Sequence, residues 1–127
     1  MTGNELLKKA TTILGLLNNA GEIANDAGDF SVRALALINL LLAENAVLDS
    51  RIRKTEHKVL AIDSLDDALE LTEIVAQSVM PYGLASLLIM GEDDSLYLEL
   101  RRAYAEARSN ALRFGKAKIH GISEVYE

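Results

Sequence analysis

The stretch "MPYGLASLLIMGEDD", residues 80–94, decides how this chain folds. It sets Pro81 and Gly83 inside an apolar run of helical character, then closes on Gly91, Glu92, Asp93 and Asp94. A proline within a helix costs about 3 kcal/mol and a glycine about 1 kcal/mol. Two arrangements absorb that cost. In one, a single helix reaches Gly91 with a kink at Pro81, offset by packing of Val79, Leu84, Leu87 and Leu88. In the other, a short helix ends at Ser78 or Val79 and Pro81 opens a new one, where its missing N–H costs almost nothing. The kinked helix is the preferred reading. Either way Gly91 is the stop, and the three acids lie at the start of the following helix, where the dipole favours them.

Working outward, the segment from Asp94 to about Phe114 carries Leu96, Leu100, Ala103, Ala107 and Ala111 on one helical face and Tyr97, Arg101, Tyr104 and Arg108 on a second stripe. Gly115 is expected to end it. The remaining "KAKIHGISEVYE" is too short and polar to fold alone, yet keeps Ile119, Ile122, Val125 and Tyr126, so it reads as an extended tail with something to dock against. On the other side, Lys58 to Ile62 is a short strand or an extended connector. Ser64-Leu65-Asp66-Asp67 resembles a capping box and Thr72-Glu73 offers a second start, so the helix leading to Pro81 begins between Ser64 and Thr72.

Further back, Phe30 to about Lys54 is apolar almost all round, which predicts a central helix surrounded by protein, on the order of 37 Å long if unbroken. Asn39, Glu44 and Asn45 make it too polar for a membrane span, and no apolar run reaches the roughly 18 residues a span needs. Arg51, Arg53 and Lys54 close it where the carbonyl end of the dipole favours cations. The first helix is expected from Asn4, as N-cap, to Asn18, with Leu6, Ala10, Ile13, Leu14 and Leu17 on one face. "NNAGEIANDAGDF" then has loop composition. The expected fold is all-α: a helical bundle domain of four main helices over residues 1–114 and an extended C-terminal tail over 115–127.

The 127 residues suit one domain. The lack of cysteine removes disulfides and thiolate chemistry, and with no signal peptide legible at the N-terminus the expected compartment is the cytoplasm. The net charge of -6 is unevenly distributed. From Val59 to Leu100 there are nine acids and no base, whereas Arg101 to His120 holds six Lys or Arg and only Glu106 as an acid. Separated signs of this kind pair within a fold or between copies.

Catalytic chemistry finds little footing. His57 and His120 lack partners at metal-ligand spacing, and no serine or glycine pattern marks a nucleophile or a phosphate loop. Asp66, Asp67, Glu70 and Glu73, with Glu92, Asp93 and Asp94, would be the carboxylates of a metal-dependent nucleotide hydrolase, although acids also collect in first turns for dipole reasons alone. A small DNA-binding regulator is a further alternative, its basic last helix serving for recognition.

Several segments together resemble the head-tail connector (adaptor) proteins of tailed bacteriophages and prophages. These are "LLKKATTILGLL" followed by a loop and "RALALINLLLAENAVL"; "SLDDALEL" leading into "VMPYGLASLLIMGEDD"; "LRRAYAEARSNAL"; and the terminal "GISEVYE". The Asn/Gly-rich loop at Asn18 to Asp29 departs from the pattern. The resemblance implies a non-enzymatic structural protein without cofactors, found in the virion or, during assembly, in the bacterial cytoplasm. It would form a ring of about twelve copies, in closed cyclic symmetry, between the portal protein and other neck or tail proteins. DNA would be met as the passing genome, without sequence-specific binding, and no membrane would be involved. Expected contact residues are Tyr97, Arg101, Tyr104 and Arg108, then Arg51, Arg53 and Lys54, then Ile119, Ile122, Val125 and Tyr126. Packing of the tyrosines against the long helix within one subunit is the alternative.

Overall fold

A computed structural model describes residues 1–15 and 28–120. Most of the loop at 18–29, and Ile122, Val125 and Tyr126 of the tail, lie outside these residues. The described chain is all-α: α1 (Gly3–Ile13), α2 (Gly28–Glu44), α3 (Ala46–Arg53), a π-helical turn (Val75–Val79) running directly into α4 (Met80–Ile89), and α5 (Asp94–His120).

The proline problem is solved by widening the helix. Immediately before Pro81 the backbone takes the π form, and the Met80 N–H bonds the Val75 carbonyl five residues back. A wider turn moves the preceding carbonyls away from the proline ring, which otherwise collides with the one four residues earlier. The chain is thus helical on both sides of Pro81. α4 stops at Ile89, and Gly91 turns the chain with φ +88°, a conformation open to glycine. Asp93 then caps α5, its Oδ1 accepting from Leu96 N at 3.0 Å.

The helix enclosed on most sides is α4, packed against α1, α2 and α5. Met80, Pro81, Gly83, Leu84, Ala85, Ser86 and Leu88 are all buried there. Small residues on three of those positions let neighbours approach closely. The segment expected to be surrounded, 30–54, is instead one-sided: Ala34, Ile38, Leu41, Leu42, Leu48 and Ile52 face the core while Val32, Leu40 and Val47 are exposed. It is also not one helix. α2 and α3 meet at Asn45 with a bend of 48°. Asn45 has φ -100° and ψ 5°, outside the helical well, and its Nδ2 donates back to the Leu41 carbonyl at 2.9 Å. A side chain folded onto its own preceding turn bends a helix in this way. Among the described residues no single helix is long and apolar enough to cross a membrane, although α2 and α3 together would pass on length and composition despite their bend.

Two boundaries differ from expectation, and of the two helix starts offered before Pro81 the later one, at Thr72-Glu73, is taken. α1 is capped by Thr2, not Asn4: Thr2 Oγ1 accepts from Glu5 N at 3.2 Å while Glu5 Oε1 accepts from Thr2 N at 3.3 Å, a reciprocal T-x-x-E box. Asn4, already helical, instead donates to Asp66 Oδ1 at 2.7 Å, and α1 ends early because Gly15 takes φ +73°. Ser64–Asp67 forms a turn, not a helix start, since Asp67 Oδ2 accepts from the N–H groups of Asp63 and Ser64; helical backbone begins only after Thr72. Finally, α5 continues through Gly115 to His120, so the tail is helical over 115–120 where an extended chain was expected. One glycine lowers helix stability by only about 1 kcal/mol, which the twenty-one preceding residues of α5 outweigh.

No strand forms at 58–62 among the described residues; an isolated antiparallel bridge links Thr2 and Ala68. The extended connector is held by a side chain in place of a strand neighbour. Asn39 Nδ2 donates to the Ile62 carbonyl at 3.0 Å and Asn39 Oδ1 accepts from Ile62 N at 2.8 Å. One amide thereby satisfies both backbone groups of Ile62, whose side chain is buried.

Candidate interaction surface

Tyr104 projects from α5 into the core beside the α2/α3 bend and is 2% exposed. Its hydroxyl donates to Glu44 Oε1 and accepts from Asn45 Nδ2 at 2.9 Å. Burial, followed by the hydrogen bond to Glu44, pushes the phenol up to about 12. The ring sits where Gly83 leaves room: a Cβ at residue 83 would lie 2.8 Å from Tyr104 Cε1 and 3.0 Å from Leu41 Cδ2. This is why the opening stretch holds a glycine at that position. The Arg101 guanidinium lies 4.9 Å from the ring centre and also donates to Ser86 Oγ at 3.3 Å, while Arg108 lies at 5.7 Å and donates to the Glu44 carbonyl at 3.4 Å. Three of the four stripe residues therefore tie α5 to α2 and α4 inside one subunit, which is the packing alternative for Tyr104. Tyr97 is half-buried on the same helix.

The basic end of α3 is arranged differently. Arg53 Nε pairs with Asp49 Oδ2 at 2.7 Å, and the fully buried Asp49 also accepts from Thr72 N at 2.7 Å through Oδ1. A carboxylate out of water needs such partners. Arg53 is thus committed to holding the connector. Arg51 and Lys54 are exposed. Arg51 and Arg108, from two of the stretches singled out in the sequence, meet in one groove of about 210 Å³ lined also by Val47, Leu48, Ser109 and Leu112. Of the tail residues, Ile119 falls in the last turn of α5.

The sequence reading missed the outer face of α2 and α3. Val32, Ala36, Leu40, Ala43 and Val47 are exposed, Val32 by 83%, Leu40 by 56% and Val47 by 62%. Steps of four, four, three and four place them on one stripe. That periodicity was available but hidden, because the inner face is apolar too and the two stripes merge into an even distribution. These exposed apolar side chains form a row along the outside of α2 and α3.

The carboxylates considered for metal chemistry do not converge. Among the described residues no group of three or more His, Asp or Glu is placed to hold a metal ion. Asp66 is bonded to Asn4 and Asp67 organises its own turn, which are structural tasks. Compared with protein-family models, curated proteins and solved structures, the chain matches none.

Proposed function

We propose that this protein is a structural assembly subunit, and specifically a head-tail connector of a tailed phage or prophage, placed as a ring between the portal protein and the neck or tail. The observation that carries the reading is the apolar stripe Val32–Leu40–Val47 on the outside of α2 and α3. Leaving such side chains in water forgoes about 25 cal/mol per Å² of apolar area that a partner would cover. The segregated charges add direction, since complementary potentials select a partner and fix its register. The portal and tail assignment rests on the sequence resemblance, which spans α1 to the terminal residues.

The test is co-expression with a tailed-phage portal protein, followed by native mass spectrometry of the purified complex. Several copies of this chain per portal ring are expected, and Leu40→Glu should remove them while leaving circular dichroism unchanged. Absence of any complex, together with salt-sensitive binding to duplex DNA, would transfer the protein to the DNA-binding class.

A further inference from the structure

We infer that the free chain pairs with a second copy through the outside of α2, the two helices running antiparallel about a two-fold axis at Leu40. This pairing goes beyond the proposed function; only the consequence that the pair opens before assembly rests on that reading, since both uses call on the same stripe. Read in either direction, the exposed stripe is Val32, Ala36, Leu40, Ala43 and Val47: large, small, large, small, large. Turning one copy end over end therefore sets Val32 against Val47, Ala36 against Ala43 and Leu40 against itself, the self-complementarity that an isologous contact requires. From Ala36 to Val47 the steps of four, three and four are those of a coiled-coil seam. All of the stripe but Val47 precedes the bend at Asn45 and so lies on one helix. The exposed alanines let the two helices approach to the short end of the usual spacing of about 8–10 Å.

Charges beside the stripe select the antiparallel sense. Arg33 and Glu44 follow Val32 and Ala43 by one residue and so stand on the same flank, whereas Ser31, Leu35, Asn39 and Ala46 on the other flank are uncharged. Antiparallel helices bring like flanks together. Arg33 of one copy then lies roughly 4 Å along the axis from Glu44 of the other, and symmetry makes the pair twice. Parallel helices would set the charged flank against the uncharged one. Arg33 also donates to the Leu88 carbonyl at 3.3 Å, and Glu44 accepts from Tyr104, within the subunit. The cross-pairs thus fix direction, while the apolar seam supplies the attraction. At roughly 22 Å from Val32 to Val47 the seam is short for a permanent interface, so the pair exchanges with free monomer.

The chain has no cysteine, so disulfide trapping reports only on introduced thiols. Full-length Leu40→Cys, oxidised without any partner protein, should give a covalent dimer and nothing larger, because each copy meets its own position on the axis. Ala36→Cys and Ala43→Cys should each stay monomeric, their like thiols standing roughly 10 Å apart along the axis, whereas the double variant should cross-link to dimer. In sedimentation equilibrium the parent should dimerise reversibly as its concentration rises. Leu40→Glu and Leu40→Lys should each be monomeric, and an equimolar mixture of the two should dimerise again. Equal cross-linking of all three single variants would overturn the inference in favour of a parallel pair, and species beyond dimer would overturn it in favour of a heterologous contact. A parent that stays monomeric at every concentration while folded by circular dichroism would overturn it outright. None of these results depends on portal binding, which the co-expression test reads separately.

Discussion

Gly83→Ala is expected to destabilise the fold, against the usual effect of placing alanine in a helix. In an exposed helix the exchange gains about 1 kcal/mol. Here the new methyl would lie 2.8 Å and 3.1 Å from two Tyr104 ring carbons and 3.0 Å from Leu41 Cδ2. Retreat of the ring is blocked, because its hydroxyl is held by Glu44 and Asn45 and Arg101 stands 4.9 Å from its centre. At 2.8 Å from a ring held in place, the overpacking cost falls in the upper part of its usual range, about 2–3 kcal/mol. The net loss should be about 1–2 kcal/mol, or a midpoint lower by roughly 4–8 °C for a chain of this size. Urea and thermal unfolding followed by far-ultraviolet circular dichroism measure it directly. Combining Gly83→Ala with Tyr104→Leu closes a double-mutant cycle, and a coupling of at least about 1 kcal/mol is expected as the smaller side chain relieves the clash. An alanine variant as stable as the parent would refute the view that this glycine exists to admit the tyrosine.

Tyr104 also sets an alkaline limit. Its folded-state value of about 12 lies above the usual value near 10, so the unfolded chain loses this proton first and stability falls as pH rises from about 10 to 12, by up to about 2–3 kcal/mol. Tyr104→Phe should lose roughly 1 kcal/mol at neutral pH and show a shallower decline above pH 10 in parallel urea titrations. At the connector, Asn39→Ala leaves both backbone groups of Ile62 without their partner and should cost about 1–3 kcal/mol. Asn39→Asp should be no better, because a carboxylate still accepts from Ile62 N yet repels the Ile62 carbonyl; equal stability of Asn39→Asp and the parent would contradict the two-bond reading.

The all-α architecture was legible because apolar periodicity and stop residues are local signals. Gly91 and the acidic start of α5 needed nothing beyond neighbouring residues. What escaped the sequence depends on contacts between distant positions. The bend at Asn45 arises where Tyr104, nearly sixty residues later, meets its side chain. Asn39, Glu44 and Asn45 stood out only as too polar for a membrane, with no means of telling that two of them bind Tyr104 and one binds Ile62. Thr2 was overlooked as a cap because Asn4 has the stronger single-residue preference, whereas the reciprocal pair with Glu5 decides the matter. Of the contact residues expected, Arg51 lines a groove together with Arg108, while Arg53, Arg101, Tyr104 and Arg108 all make contacts inside the subunit.

The π-helical turn before Pro81 has an implication for how the molecule tolerates change. An extra residue accommodated in a helical turn rotates everything beyond it relative to what precedes, so the faces of Val75–Val79 and of Met80–Ile89 are set by the bulge. Replacing Pro81 by alanine would remove the steric reason for the wide turn and free the segment to tighten into an ordinary α-helix. Leu84 and Leu88 would then swing out of register with α2 and α5. A substitution that looks helpful by propensity alone would thereby scramble the centre of the protein.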